Sequence, residues 1–376
     1  MNIFSSIKQK PLPSMFGLAG GLSGFATNGP AGDLFEFNVN DSFTFTNCGK
    51  EGRNGPTIAQ MTSHYESNYG TGMWWSNTNF LDTAKDASTN NEVKGVQMMS
   101  VPVTGTYRLT LQAPRTKYVE STQRRGIKLA VEVPLVKGEK IYVVVGQQGE
   151  IGTYNGGGSG GTFVFKLQNA ASPSSDFELI AVAGGAGGQG PNNSGKGNAR
   201  TDANTGESGK AGTNADGSTQ GSAGGSSGNA GSASTYSHGA APGAGWLTTS
   251  RVLGTLTTTC GTYPENVASG LGLLSSVVSG RTSVLEDSFS GGFGYSANAE
   301  YLRGGFGGAG GGSGACNSSG SGGGGGYSGG GVGNDCCDSA GGGGGSYINT
   351  TVVTSTHSNP ALVDSVNGYL TILRVS

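Results

Sequence analysis

The residues able to do chemistry are sparse in this chain and poorly spaced for it. Gly190-Pro-Asn-Asn-Ser-Gly-Lys-Gly197 has the outline of a phosphate-binding loop after a strand, but Gly197 stands where Ser or Thr must hold Mg²⁺. Nucleotide binding is therefore not expected. His64, His238 and His357 lie far apart, none at a metal-ligand spacing, and read as ordinary surface residues. The five cysteines, Cys48, Cys260, Cys316, Cys336 and Cys337, are an odd set for a disulfide framework, and neighbouring cysteines pair only through a strained turn. They read as reduced structural thiols, since a zinc site would want C-x₂-C spacing with histidines nearby. No nucleophile motif is present, so the expectation is a non-enzyme with no catalytic residues, metal or cofactor. Trp74 and Trp75, adjacent in a Gly/Asn-rich stretch, can stack on sugars, anchor a protein partner or pack beneath their own loop. Phe306 and Tyr327, which interrupt a glycine block, join them as surface-contact candidates.

Composition narrows the class further. Of 376 residues 74 are glycine, about three times the usual share of ~7%. Only 12% are charged and the formal net charge is −2, which gives no electrostatic footprint for nucleic acid or an anionic membrane. The N-terminus has no continuous apolar core followed by a cleavage site, and residues 16–26 are glycine-broken and too short to span a bilayer. The expectation is a chain folded in a cytosol, without membrane insertion. The sequons at Asn40, Asn317 and Asn349 matter only if it is secreted.

The elements that must position these residues are strands. Apolar residues alternate over 34–39 and 42–46, and 96–99 with 104–111 reads as a further pair joined through 101–105. The runs 127–133, 140–146, 161–167 and 177–183 follow at short spacing, and the tail 368–375 re-enters the sheet begun near Leu34, as in a sandwich or jelly roll. No segment combines helix-forming composition with a 3.6-residue period, so long helices are not expected. Residues 1–32 are broken by Pro11, Pro13 and Pro30 and read as an extended docking arm, with Ile3, Phe4, Ile7, Met15, Phe16, Leu18, Leu22 and Phe25 as its apolar contacts. The divisions expected are 1–32 (arm), 33–183 (first part of the sandwich), 184–345 (glycine-rich region) and 346–376 (returning strands). Residues 184–243 have the composition of a flexible linker, and 271–278 that of a short strand or helical turn.

Glycine-rich segments can nevertheless be ordered. Polyglycine adopts the left-handed helix of three residues per turn, which has no internal hydrogen bonds. Without Cβ atoms such helices approach closely and satisfy their N–H and C=O groups sideways. One run cannot do this, but 156–161, 184–243 and 304–345 supply several. An all-β sandwich carrying an inserted polyglycine II bundle is the architecture expected.

The segment Phe43-Thr-Phe-Thr-Asn-Cys-Gly-Lys-Glu-Gly-Arg-Asn-Gly-Pro-Thr-Ile-Ala-Gln60 resembles the opening motif of the glycine-rich extracellular domain of the anaplastic lymphoma and leukocyte receptor tyrosine kinases. The similarity continues through Val101-Pro-Val-Thr-Gly-Thr-Tyr107, Tyr142-Val-Val-Val-Gly-Gln-Gln-Gly149, Gly161-Thr-Phe-Val-Phe165, Leu179-Ile-Ala-Val-Ala-Gly-Gly185 and Gly304-Gly-Phe-Gly-Gly308. The resemblance implies a tumour-necrosis-factor-like sandwich with inserted polyglycine helices, and structural roles for Cys48, Gly49, Arg53, Gly55, Pro56, Gly146, Gln148 and Gly149. By analogy it also implies a homotrimer. Similar free-standing modules occur in marine tailed-phage proteins. With no kinase or spanning segment here, the expectation is a virion structural protein assembled in a host cytoplasm. Its expected partners are other tail, nozzle or capsid proteins and a host surface receptor or glycan. A capsid decoration protein and a secreted, receptor-derived ligand-binding module are the alternatives.

Overall fold

The computed structural model describes residues 37–70, 81–85, 92–117, 124–152, 155–167, 177–189, 198–213, 221–233, 240–248, 257–258, 261–262, 289–292, 295–296, 302–315, 318–333 and 339–376. The arm, Trp74, Trp75, the 190–197 loop, the 271–278 segment and the four cysteines other than Cys48 lie outside the described residues.

Two antiparallel sheets dominate. The first contains β1 (Ser42–Thr46), β4 (Gly105–Gln112), β5 (Gly126–Leu135), β15 (Ser355–Val363) and β16 (Tyr369–Arg374), in the order β1-β16-β4-β5-β15. The second contains β2 (Leu81–Lys85), β3 (Glu92–Ser100), β6 (Lys140–Val144), β7 (Thr162–Leu167), β8 (Phe177–Ala183) and β14 (Tyr347–Ile348), in the order β14-β8-β7-β6-β3-β2. Short ladders join β9 (Thr257–Thr258) to β10 (Gly261–Thr262), and β11 (Tyr295–Ser296) to β12 (Ser313–Ala315) and β13 (Ser318–Gly320). This is an all-β sandwich. As the alternation predicts, the last strand returns beside the first, with Phe43 opposite Ile372 and Phe45 opposite Leu370.

The two sheets differ in a way their sequences explain. Strand β1 alternates strictly, with Phe43 and Phe45 turned into the core and Ser42, Thr44 and Thr46 outward. One face of the first sheet therefore meets the second sheet, around Leu109, Leu129, Val131, Val143, Val164 and Ile180. The second sheet is apolar on both faces, which is why 141–145 and 179–183 read as unbroken apolar runs. Its far face carries Val96, Val144, Phe163, Phe165 and Val182, covered by Trp246, Phe289 and Phe306 from the glycine-rich region. Each such aromatic contributes on the order of 1.5–3 kcal/mol by leaving water.

Three expectations need correction. Phe37 to Val39 are not strand: Val39 and Asn40 turn, Asn40 at φ 74°, while Phe37 stacks on Tyr107 at 6.1 Å. The segments 96–99 and 104–111 do not pair, since β3 bonds to β2 and β6 whereas β4 bonds to β5 and β16. Pro102, which has no N–H, follows the last bond on that side (Val101 N to Glu139 O, 2.8 Å), and the chain crosses to the other sheet. The third is a 12-residue helix, α1 (Ile58–Tyr69), where none was expected. A reciprocal capping box starts it, with Gln60 N donating to Thr57 Oγ1 and Thr57 N to Gln60 Oε1. The helix buries Met61 and Tyr65, and Thr46 N donates to the Tyr65 hydroxyl at 3.2 Å, which occupies an amide of β1.

In the glycine-rich region the described segments bond laterally. Along 341–346, Gly341 and Gly344 donate to Gly188 and Gly185, and Gly342 and Gly345 to Gly331 and Ser328. Gly343 and Ser346 donate to Arg200 and Gly206, and all six bonds measure 2.8–3.0 Å. The partner thus changes at each residue and returns at the third. Segment 157–161 behaves alike: residues 157 and 160 reach Glu150 and Gln147, residues 158 and 161 reach Gly310 and Gly307, and Ser159 reaches Ala186. Backbones lie so close that an ideal Cβ at Gly323, Gly330 or Gly344 would sit 1.9–2.2 Å from a carbonyl oxygen of another run. The linker-like composition of 184–243 therefore misleads at 184–189, which are wholly buried, whereas 205–208 are exposed.

Candidate functional site

The residues singled out by the 43–60 motif converge on the junction between sandwich and glycine runs. After β1 the chain turns through Cys48 (φ 51°) and Gly49 (φ 71°), with Asn47 Nδ2 donating to Lys50 O at 2.6 Å. Arg53 grips the glycine segment in both directions: its Nε donates to Gly291 O at 2.6 Å and its carbonyl accepts from Gly291 N at 2.9 Å. Pro56 O accepts from Gly95 N, bringing Gly55 and Gly95 into backbone contact over the Phe306 ring. An ideal Cβ on Gly95 would lie 2.5 Å from Phe306 Cζ and 2.6 Å from Gly55 Cα, and Gly95 sits at φ 86°. Only glycine meets both demands.

From the other side, Gly146 and Gly149 let the strand continuing from β6 run against 157–160, where ideal Cβ atoms would come 2.3 and 2.4 Å from Gly160 O and Gly158 O. Gln148 is buried and its Nε2 donates to Arg115 O and Thr116 O at 3.1 and 3.0 Å. Phe306 is pinned by its own backbone, with N donating to Gly52 O and its carbonyl accepting from Gln147 N. Phe306 was expected at the surface, and here it is 1% exposed. A phenyl ring among glycines has no apolar cover except the sheet face, and it takes that cover.

Tyr327 is half-buried and stacks on Tyr347 with centroids 4.3 Å apart and planes 14° from parallel. Leu247, 42% exposed, lies alongside: an ideal Cβ on Gly228 would be 2.9 Å from Leu247 Cγ and 3.6 Å from Tyr327 Cε2. Burial, then the neighbouring Tyr347 and Glu207, raises the Tyr327 phenol above its ordinary pKa. Of the two surface-contact candidates within the described residues, Tyr327 is the one with an accessible portion.

Cys48 is a free, half-buried thiol beside Thr46 and Tyr65, and burial pushes its pKa up to about 11. That suits a structural thiol and disfavours a nucleophile. His64 exchanges a 3.2 Å hydrogen bond with Thr46 Oγ1, and burial lowers its pKa. Among the described residues no group of three or more His, Cys, Asp and Glu side chains could hold a metal ion, and no helix is long and apolar enough to cross a membrane.

Two contributors were missed in the sequence, Trp246 and Phe289. Both cover the second sheet, with Trp246 5.2 Å and Phe289 6.1 Å from Phe165 between centroids. Their signal was isolation, since a large aromatic in a Gly/Ser/Ala stretch must find an apolar surface elsewhere. A scan of the chain against models of known protein families finds no match.

Proposed function

We propose that this chain is a non-enzymatic structural protein of a tailed-phage virion, a fibre- or spike-like appendage that assembles in the host cytoplasm. In this reading the sandwich is of the tumour-necrosis-factor-like or jelly-roll type. The glycine runs are polyglycine II helices, and three copies associate. Residues 1–32 dock the appendage through Ile3, Phe4, Ile7, Met15, Phe16, Leu18, Leu22 and Phe25, and the glycine bundle projects toward a host receptor or glycan. The observation that supports the reading is the three-residue recurrence of lateral bonding partners, which a helix with three residues per turn would produce. A body knitted from main-chain amides keeps its form with few side chains, which suits a part whose task is to reach and present. Trp74 and Trp75, with Tyr327, are the contact residues assigned to its surface.

The test is a virion assembled with residues 2–30 deleted from this chain. The truncated protein should fold yet be missing from purified particles, and particles that still carry it would refute the docking arm. Attachment to the capsid as a decoration protein would show in the same preparations as label on heads rather than tails. A secreted, receptor-derived module predicts glycan on its sequons, Asn40 and Asn349 among the described residues. Intact mass of the native protein separates the two, because the virion reading requires an unmodified chain.

A further inference from the structure

The loop after β4, the residue before β5, a helical turn at Asn198–Thr201 and a glycine-rich run bring four cations together around two acids. Arg125 forks onto Asp202, Nη2 to Oδ2 at 2.8 Å and Nε to Oδ1 at 3.4 Å, while its own N–H donates to Asp202 Oδ1 at 2.7 Å. Arg115 Nε pairs with Asp364 Oδ1 at 3.0 Å, and Asp364 also acts on Arg125 through space. Arg200 and Lys210 flank the same spot, fixed by the backbone: Gly343 N donates to Arg200 O at 2.9 Å and Lys210 N donates to Gly343 O at 2.8 Å. Ala203 N donates to Arg125 O at 2.9 Å and ties the two sides together. Among the described residues the cluster therefore counts four cations to two acids, on a chain whose net charge is −2.

Arg125 forks onto Asp202, the same carboxylate acts on Lys210 through space, and Arg200 is paired to no acid among the described residues. Arg115 Nη1 is a buried donor with no hydrogen-bond partner. Burial, with Arg125 and Arg200 nearby, lowers the Lys210 pKa against the pull of Asp202. Such a group favours an arriving anion, since guanidinium forks match oxyanions and a phosphate monoester brings ≈ −1.5 to −2 charges.

We infer that Arg115, Arg125, Arg200 and Lys210 form a binding site for a phosphate monoester carried by a host surface glycan. This rests on the host-contact part of the proposed function and names the chemistry read there. The two acids orient the guanidinium groups, and the interlocked backbones hold the site before the ligand arrives.

Calorimetry on the full chain in low-chloride buffer, with glucose 6-phosphate, glucose and inorganic phosphate as probes, tests the site. Glucose 6-phosphate should bind, glucose should not, and inorganic phosphate should compete more weakly. The double variant Arg200→Gln/Lys210→Gln should bind at least tenfold more weakly. Lys210→Gln alone should raise the melting temperature without phosphate and shrink the further rise that glucose 6-phosphate produces. Equal affinity in wild type and double variant overturns the site, and tighter binding of inorganic phosphate overturns the glycan as its source. Phage adsorption keeps the two proposals apart. Particles that carry the double variant and adsorb normally sink this inference alone, whereas absence of the wild-type protein from particles sinks the virion reading and leaves the calorimetry standing.

Discussion

Cys48 shows how one side chain reports on its surroundings. Its thiol is held near pH 11 against an ordinary 9.0, so the neutral form is favoured by folding. The associated stability is intact below pH 9 and drains away as pH rises through 11, at most roughly 2–3 kcal/mol by linkage. Buried Tyr65, raised well above its ordinary value, adds to the same alkaline loss. Melting curves from pH 8 to 11 should fall less steeply for Cys48→Ala than for wild type, and parallel curves would disprove the coupling. At the junction, Gly95→Ala should cost about 2–4 kcal/mol, because its methyl meets Phe306 and Gly55 at a positive φ. Gly138 also has a positive φ, 89°, but faces open space, so Gly138→Ala should cost only the left-handed backbone strain, about 1–2 kcal/mol.

Among elements, α1 rests on a cap that the sequence displayed in Thr57 and Gln60. Thr57→Ala should destabilise by about 1 kcal/mol in urea titration. The helix escaped notice because its apolar face is thin, with Met61 and Tyr65 its buried residues, so periodicity was silent while the cap spoke. Strands with one wet face, such as β1 and β16, were legible from alternation. Pairing was not: the neighbours of β3 and β4 depend on which sheet the chain enters after Pro102, and no local pattern encodes that. The junction was legible only in part. Gly55 and Gly146 stood out as glycines, but their partners Gly95 and Gly160 lie far along the chain, and only the fold brings them near. Glycine runs are the extreme case, since composition reads the same for a loose linker and for a bonded lattice. Gly323→Val and Gly343→Val separate the two: each should unfold the region cooperatively and lower the melting temperature by several degrees. Unchanged melting would mean that the runs do not bear on stability.

For the whole molecule, the lateral bonds tie segments more than 100 residues apart, such as 185 to 325 and 188 to 341. Amides along 157–161, 185–188 and 341–346 should therefore exchange with solvent as slowly as those of β4 and β5, and fast exchange there would contradict the bonding. Arg200, Lys210 and Tyr327 sit on this scaffold, whereas Arg115, Arg125 and Tyr347 belong to the sandwich, so the proposed phosphate site and the tyrosine stack take their geometry from the join between the two. The recurrence of partners at every third residue also sets a grammar for change in length. If the runs are the polyglycine II helices proposed above, removing one glycine from within 341–346 swings each later amide about a third of a turn onto the wrong neighbour, whereas removing three restores its heading. Such a body should grow and shrink in triplets, so natural relatives should differ within these runs by multiples of three.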